Sequence, residues 1–140
     1  MSLFPIPPRH IFPLFVMTST TLMSFPAYFN TPYAINTLFG LPQRIANSPH
    51  AQSPFILMTA RIQAIGIMMW AFYLKGEYHA VDTVMAILGT WVTGVDVWMC
   101  IREGVKGKAA FRGIVGGAVG VWGLMGMTAV SMSMSVQKWY

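Results

Sequence analysis

The fold class predicted from the sequence is an all-α integral membrane four-helix bundle, with a long capping or re-entrant loop between its first two helices. Three observations lead there. Of the 140 residues, 55% are hydrophobic and only 9% charged, where an average soluble domain carries roughly 25% charged residues. Four apolar segments reach the ~20 residues that a helix needs to cross a bilayer. All but one of the connections between them are short. A chain of this length is expected to form one domain, so the four segments should pack on one another.

The N-terminal stretch MSLFPIPPRH is rich in proline and lacks a basic start before an apolar core, so a cleaved signal peptide is not expected. The first span, about 11–29, has Pro13 and Pro26 near its ends and a polar middle, Thr18 to Thr21. Such interruptions are tolerated in lipid when neighbours satisfy the backbone they free. The second span is expected at about 54–74, the third at 81–101 and the fourth at 110–135. KGEYHA at 75–80 and REGVKGKA at 102–109 read as tight turns that make antiparallel neighbours. By contrast, residues 30–53 are long, polar and punctuated by Pro32, Gly40, Pro42 and Pro49. Loops of that length in a compact domain are usually functional or disordered. The aromatic residues and the LFGLP centre favour a segment that caps the bundle.

The net charge is +5. The basic residues stand singly and form no cluster or stripe of the kind nucleic acid requires. They bear instead on topology. Arg44, Arg102, Lys106, Lys108 and Arg112 fall at one end of the spans, and Arg9, Lys75 and Lys138 at the other. By the positive-inside rule the first group faces the cytosol and both termini face away from it, with Trp139 and Tyr140 as interfacial anchors. One cysteine, Cys100, excludes an internal disulfide. No spacing of His, Asp or Glu suggests a metal site, and no cofactor is implied. His50 and His79 read as surface residues.

The chain has four acids, Glu77, Asp82, Asp96 and Glu103. Asp82, Gly89, Asp96 and Glu103 repeat every seven residues, so they share one slowly drifting helix face that must look into the bundle. Gly89 is read as a packing position, and Asp82 and Glu103 as solvated groups at headgroup level. Asp96 is different. It precedes Arg102 by six residues, about 9 Å inside the helix end. A charge at that depth costs about 2.5–3.5 kcal/mol on insertion scales, so such groups pair and often mark function. Arg61 lies at a similar depth on the preceding helix, and folding back at 75–80 brings the two to one level. Asp96 and Arg61 are therefore the candidate catalytic pair, with a purely structural pair that fixes helix register as the plainer alternative.

Candidate substrate-binding residues are Tyr33, Asn36, Gln63, Trp70, Thr93, Trp98 and Arg112. Thr59, Gln43, Arg44, Asn47 and His50 are placed at or above the same level. Together these would line a half-buried cavity suited to a lipophilic molecule with one reactive polar group. A second acid or base is missing. Asp82 or Glu103 would have to reach in, or a phenol from Tyr33, Tyr73 or Tyr78 would supply the proton. In the fourth span Gly113/Gly117 and Gly116/Gly120 form small-xxx-small pairs, which could serve the bundle or join two copies of the chain.

GLP at 40–42, Arg61 with Gly66 five residues on, and Asp96 with Gly104 eight residues on resemble a small four-helix membrane family of bacteria and fungi known as a domain of unknown function. The resemblance covers roughly 30–125. Ile62 stands where an acid is expected beside the arginine, and Arg112 where histidine is expected. Fungal members that look like this belong to polyketide pathways and are taken for epoxide hydrolases or cyclases of lipophilic polyenes. The resemblance thus implies an enzyme of secondary metabolism, multi-pass in the endoplasmic reticulum, opening epoxides by acid/base chemistry. The residues alone leave two other classes open: a non-catalytic membrane subunit or ligand-binding protein, and an isomerase that shuttles a proton through Asp96.

Overall fold

A computed structural model describes residues 6–130. Helix α1, Pro8–Leu22, begins on a proline, where the missing N–H costs nothing. Its polar stretch is accommodated by back-bonding. Thr20 donates its hydroxyl to the Val16 carbonyl (2.7 Å), Thr21 to Met17 (2.8 Å), and Ser24 to Thr20 (3.2 Å). After a turn the chain forms three short helical pieces, α2 (Pro26–Phe29), α3 (Thr31–Tyr33) and a π-helical turn (Ala34–Leu38), and then α4 (Gln43–Ala46). Helix α5, Pro49–Leu74, has 26 residues and so spans about 39 Å. Gly76, at φ +77°, turns the chain into α6, Tyr78–Ile87. A second π-helical turn, Leu88–Val92, joins α6 to α7, Thr93–Arg102. Gly104, at φ +78°, reverses the chain again into α8, Lys106–Leu124.

The long helices pack as two pairs, α1 along α5 and α8 along the continuous α6–α7 rod. The two pairs meet where α5 turns into α6, around a core of Val16, Met17, Met69, Val81, Met85 and Val119. Farther from that turn, α7 leaves α5, and the segment between α1 and α5 fills part of the gap. This segment is not an extended loop. Ala27, Ala34, Ile35 and Ala46 form a small buried core of their own with Phe55 of α5.

Glycine sets the α8 seam. A Cβ on Gly89 would sit 2.0 Å from the Gly120 nitrogen, and one on Gly123 would meet the Asp82 carbonyl oxygen at 2.4 Å. Gly116 lies as close against Thr93, whereas a Cβ on Gly117 would meet nothing within 4 Å. The glycines therefore close the seam within this chain, through Gly116, Gly120 and Gly123.

Three helical stretches are long and apolar enough to cross a membrane, Pro8–Phe29, Pro49–Leu74 and Tyr78–Arg102. Their outward faces carry large apolar side chains, among them Phe15, Leu74 and Trp91. In water such continuous apolar surface would be a liability. By length and composition this is a membrane protein. Helix α8 covers Lys106–Leu124 and is not one of these three stretches among the described residues, and the expected fourth span, 110–135, ends outside the described residues. The expected interfacial residues Trp139 and Tyr140, and Lys138 of the charge comparison, lie outside the described residues.

Candidate functional site

Asp96 does not meet Arg61. It pairs with Arg112 of α8, whose Nη1 donates to Asp96 Oδ2 at 2.5 Å. Arg61 lies on the exposed face of α5 and makes no ion pair among the described residues. The reason is azimuth. Met58 and Ile62 of α5 do share a groove with Asp96, so the depth argument placed the helix level correctly. Each residue turns a helix by about 100°, however, and Arg61 points away from the face that Met58 and Ile62 present.

Arg112 is held from three sides. Its other terminal nitrogen donates to the Leu38 carbonyl (3.3 Å), and its guanidinium lies 4.8 Å from the centre of the Phe39 ring. A planar cation suits this combination of carboxylate, carbonyl and aromatic face. The pair is half sheltered, with 19% of the Arg112 side chain and 36% of the Asp96 side chain exposed.

The pair stands in the wall of a groove of about 560 Å³ between the two helix pairs. Val16 of α1 and Met23 at its C-terminal cap, Met58 and Ile62 of α5, Leu88, Trp91 and Val95 of the α6–α7 rod, and Val119 of α8 give it an apolar lining. Leu38 and Phe39 close one side. The π-helical turn at Leu88–Val92 contributes directly to the wall, a placement that such turns often take at functional sites.

Of the expected binding residues, Thr93 and Arg112 line this groove. The others have different work. Gln63 accepts from Tyr28 and donates to the Thr21 carbonyl, tying α5 to α1. Asn36 donates to the Leu41 carbonyl within the covering segment. Tyr33 is exposed. Trp98 is exposed beneath the Arg102 guanidinium. Trp70 packs against the central core and edge-on to Tyr73, at the opposite end of the helices.

Neither remaining acid reaches the groove. Asp82, expected at a solvated position, is 3% exposed and accepts the backbone N–H groups of Thr128 and Ala129. Its carboxylate thereby anchors the turn after α8. Glu103, also expected to be solvated, holds Arg44 of α4. Tyr73 and Tyr78 surround the buried His10 ring, with the Tyr73 hydroxyl 2.7 Å from His10 Nδ1. That cluster closes the end where α1 begins. Among the described residues no three His, Cys, Asp or Glu side chains converge on a metal position.

The missed groove residues are on α1 and in the turn after it. Ser19, Thr20 and Ser24 line the groove, and the polar middle of the first span, Thr18 to Thr21, was the signal for the first two.

Residues 19–126 match the family described as a domain of unknown function, DUF4267. The chain belongs to this family. The matched region takes in every groove residue except Val16, the covering segment and both residues of the Asp96–Arg112 pair. No curated protein and no solved structure matches the chain.

Proposed function

We propose that this member of the family is a membrane-embedded enzyme that opens an epoxide on a lipophilic substrate, by hydrolysis or by cyclisation. The observation that carries the reading is the Asp96–Arg112 pair set into an apolar groove that also opens toward the lipid-facing residues Trp91 and Val95. In this reading four helices span the bilayer, with α8 shielded from lipid along its glycine seam. The polyketide setting and the endoplasmic reticulum rest on the sequence resemblance alone.

One carboxylate is sufficient for the chemistry. Asp96 takes a proton from water, or from a hydroxyl of the substrate, as that oxygen attacks an epoxide carbon. The carbon–oxygen bond of the ring breaks, and its electron pair goes to the epoxide oxygen. Arg112, always cationic, faces the developing alkoxide and stabilises it. The protonated Asp96 then returns the proton to the alkoxide, giving a diol or a cyclic ether alcohol and restoring the carboxylate. Arg112 thus takes the place of Arg61 as the partner of Asp96, and adds the stabilisation of the epoxide oxygen.

The test uses purified protein in detergent with a polyene bis-epoxide, product analysis by mass spectrometry, and heavy-oxygen water to separate hydrolysis from cyclisation. Asp96→Asn is expected to remain folded and to lose roughly 10²–10⁴ in rate, the usual worth of a general acid or base. Arg61→Ala is expected to keep wild-type turnover. Turnover undiminished in an Asp96→Leu/Arg112→Leu double variant, or absent in the wild type across several such epoxides, would leave the pair a structural feature of a binding protein or subunit.

A further inference from the structure

The groove has a second polar edge. Besides Asp96, Arg112 and Thr93 on one helix pair, it is lined by Ser19, Thr20 and Ser24 on the other. Thr20 and Ser24 have already given their hydroxyl protons to α1 carbonyls, and Thr93 donates to the Leu88 carbonyl at 3.2 Å. Each hydroxyl oxygen then has only lone pairs to offer. Asp96 adds another acceptor, because Arg112 takes Oδ2 and no hydrogen bond to Oδ1 is present among the described residues. The groove therefore presents acceptors at Thr20, Ser24, Thr93 and Asp96 beside donors at Ser19 and Arg112, and a partner that both donates and accepts fits it.

Charge narrows the partner further. The groove holds one carboxylate and one guanidinium, already paired, so its formal charge is zero. A carboxylate or phosphate head would stand beside a still-ionised Asp96 and compete with it for Arg112, whereas the alkoxide of the proposed reaction forms only as Asp96 takes up a proton. A neutral hydroxyl has no such cost. The apolar remainder, at about 560 Å³, is within the usual range of sites for drug-sized molecules.

We infer that the groove selects an uncharged, elongated lipophile carrying hydroxyl groups, and that Ser19, Thr20 and Ser24 read those hydroxyls from the side facing Asp96 and Arg112. The inference rests on the groove being the substrate site, as proposed above. It makes the α1 row a specificity element, separate from the proton-transfer pair.

Three conjugated polyenes of one length supply the test: retinol, retinyl methyl ether and retinoate at pH 8. Binding to the full chain in zwitterionic nanodiscs is read as saturable energy transfer from tryptophan, with Trp91 in the groove wall as the nearest donor. Retinol is expected to bind about tenfold tighter than retinoate and about 3- to 10-fold tighter than the ether, the worth of one or two hydrogen bonds. Thr20→Val/Ser24→Ala is expected to erase the preference for alcohol over ether. Unchanged ether binding by that variant shows that the fold and groove are intact. Retinoate binding as tightly as retinol, or an alcohol preference that survives in the double variant, overturns the inference. If epoxides are not opened while the alcohol preference stands, only the catalytic reading fails.

Discussion

The two ends of the helix bundle use polar residues in opposite ways. At the end where α1 begins, His10 and Tyr73 hydrogen-bond inside an aromatic cluster, Phe12 lies against Trp122, and Asp82 accepts backbone donors from the turn after α8. Every polar group named there is committed to another part of the chain. At the other end α7 separates from α5. The Asp96–Arg112 pair faces a groove and retains unused hydrogen-bonding capacity. Burial with full satisfaction stabilises a fold, whereas partial satisfaction beside an open space is what a ligand needs. The contrast separates a structural carboxylate from the one proposed to be catalytic on the same helical rod.

The sharpest way to break this comparison is to exchange the outcomes expected for the two carboxylates. Asp82→Ala removes the carboxylate that accepts the buried N–H groups of Thr128 and Ala129, at about 1–3 kcal/mol for each hydrogen bond lost. Thermal unfolding in detergent is expected to show a loss of about 2–6 kcal/mol, while Asp96→Asn changes stability far less than it changes turnover. Equal stability losses would show that the groove pair is as structural as Asp82.

A smaller effect separates the seam from the lipid side. Gly89→Ala drives a methyl into the α8 backbone and is expected to cost about 1–3 kcal/mol, the range for overpacking. Gly117→Ala has open space and is expected to stay within about 0.5 kcal/mol of wild type. The same melts in detergent read both. If Gly117→Ala proves the costlier, α8 packs through a different face.

The smallest effect concerns the covering segment. The Arg44 side chain is 72% exposed, so Arg44→Ala is expected to change stability by no more than about 1 kcal/mol, as surface pairs do. Its effect on ligand release should exceed that on melting if the Arg44–Glu103 contact helps hold the segment over the groove. Stopped-flow dissociation of retinol compares the two.

Much of the architecture was legible because it is one-dimensional. Runs of apolar residues set the helices, the short segments 75–80 and 102–109 set the reversals, and counting along the helices brought Asp96 to the stretch of α5 that holds Met58 and Ile62. The segment at 30–53 was recognisable as something other than a linker from its aromatics and prolines. Ile62 illustrates the limit. In the sequence it marked an acid that was missing beside Arg61, yet in the fold Ile62 faces the groove and Arg61 does not.

What the sequence determined by itself, then, is helical content, the level of each polar residue along its helix, and an apolarity that suits lipid. Tertiary structure alone decided which cation Asp96 meets, that Asp82 is a buried anchor, and that the Ser19–Ser24 row faces the same space as the ion pair. The physical reason is that residue spacing fixes height along a helix axis. Partners across a bundle depend on how each helix is rotated, and that rotation follows from close contacts such as Gly89 on Gly120, which form only when distant parts of the chain pack together.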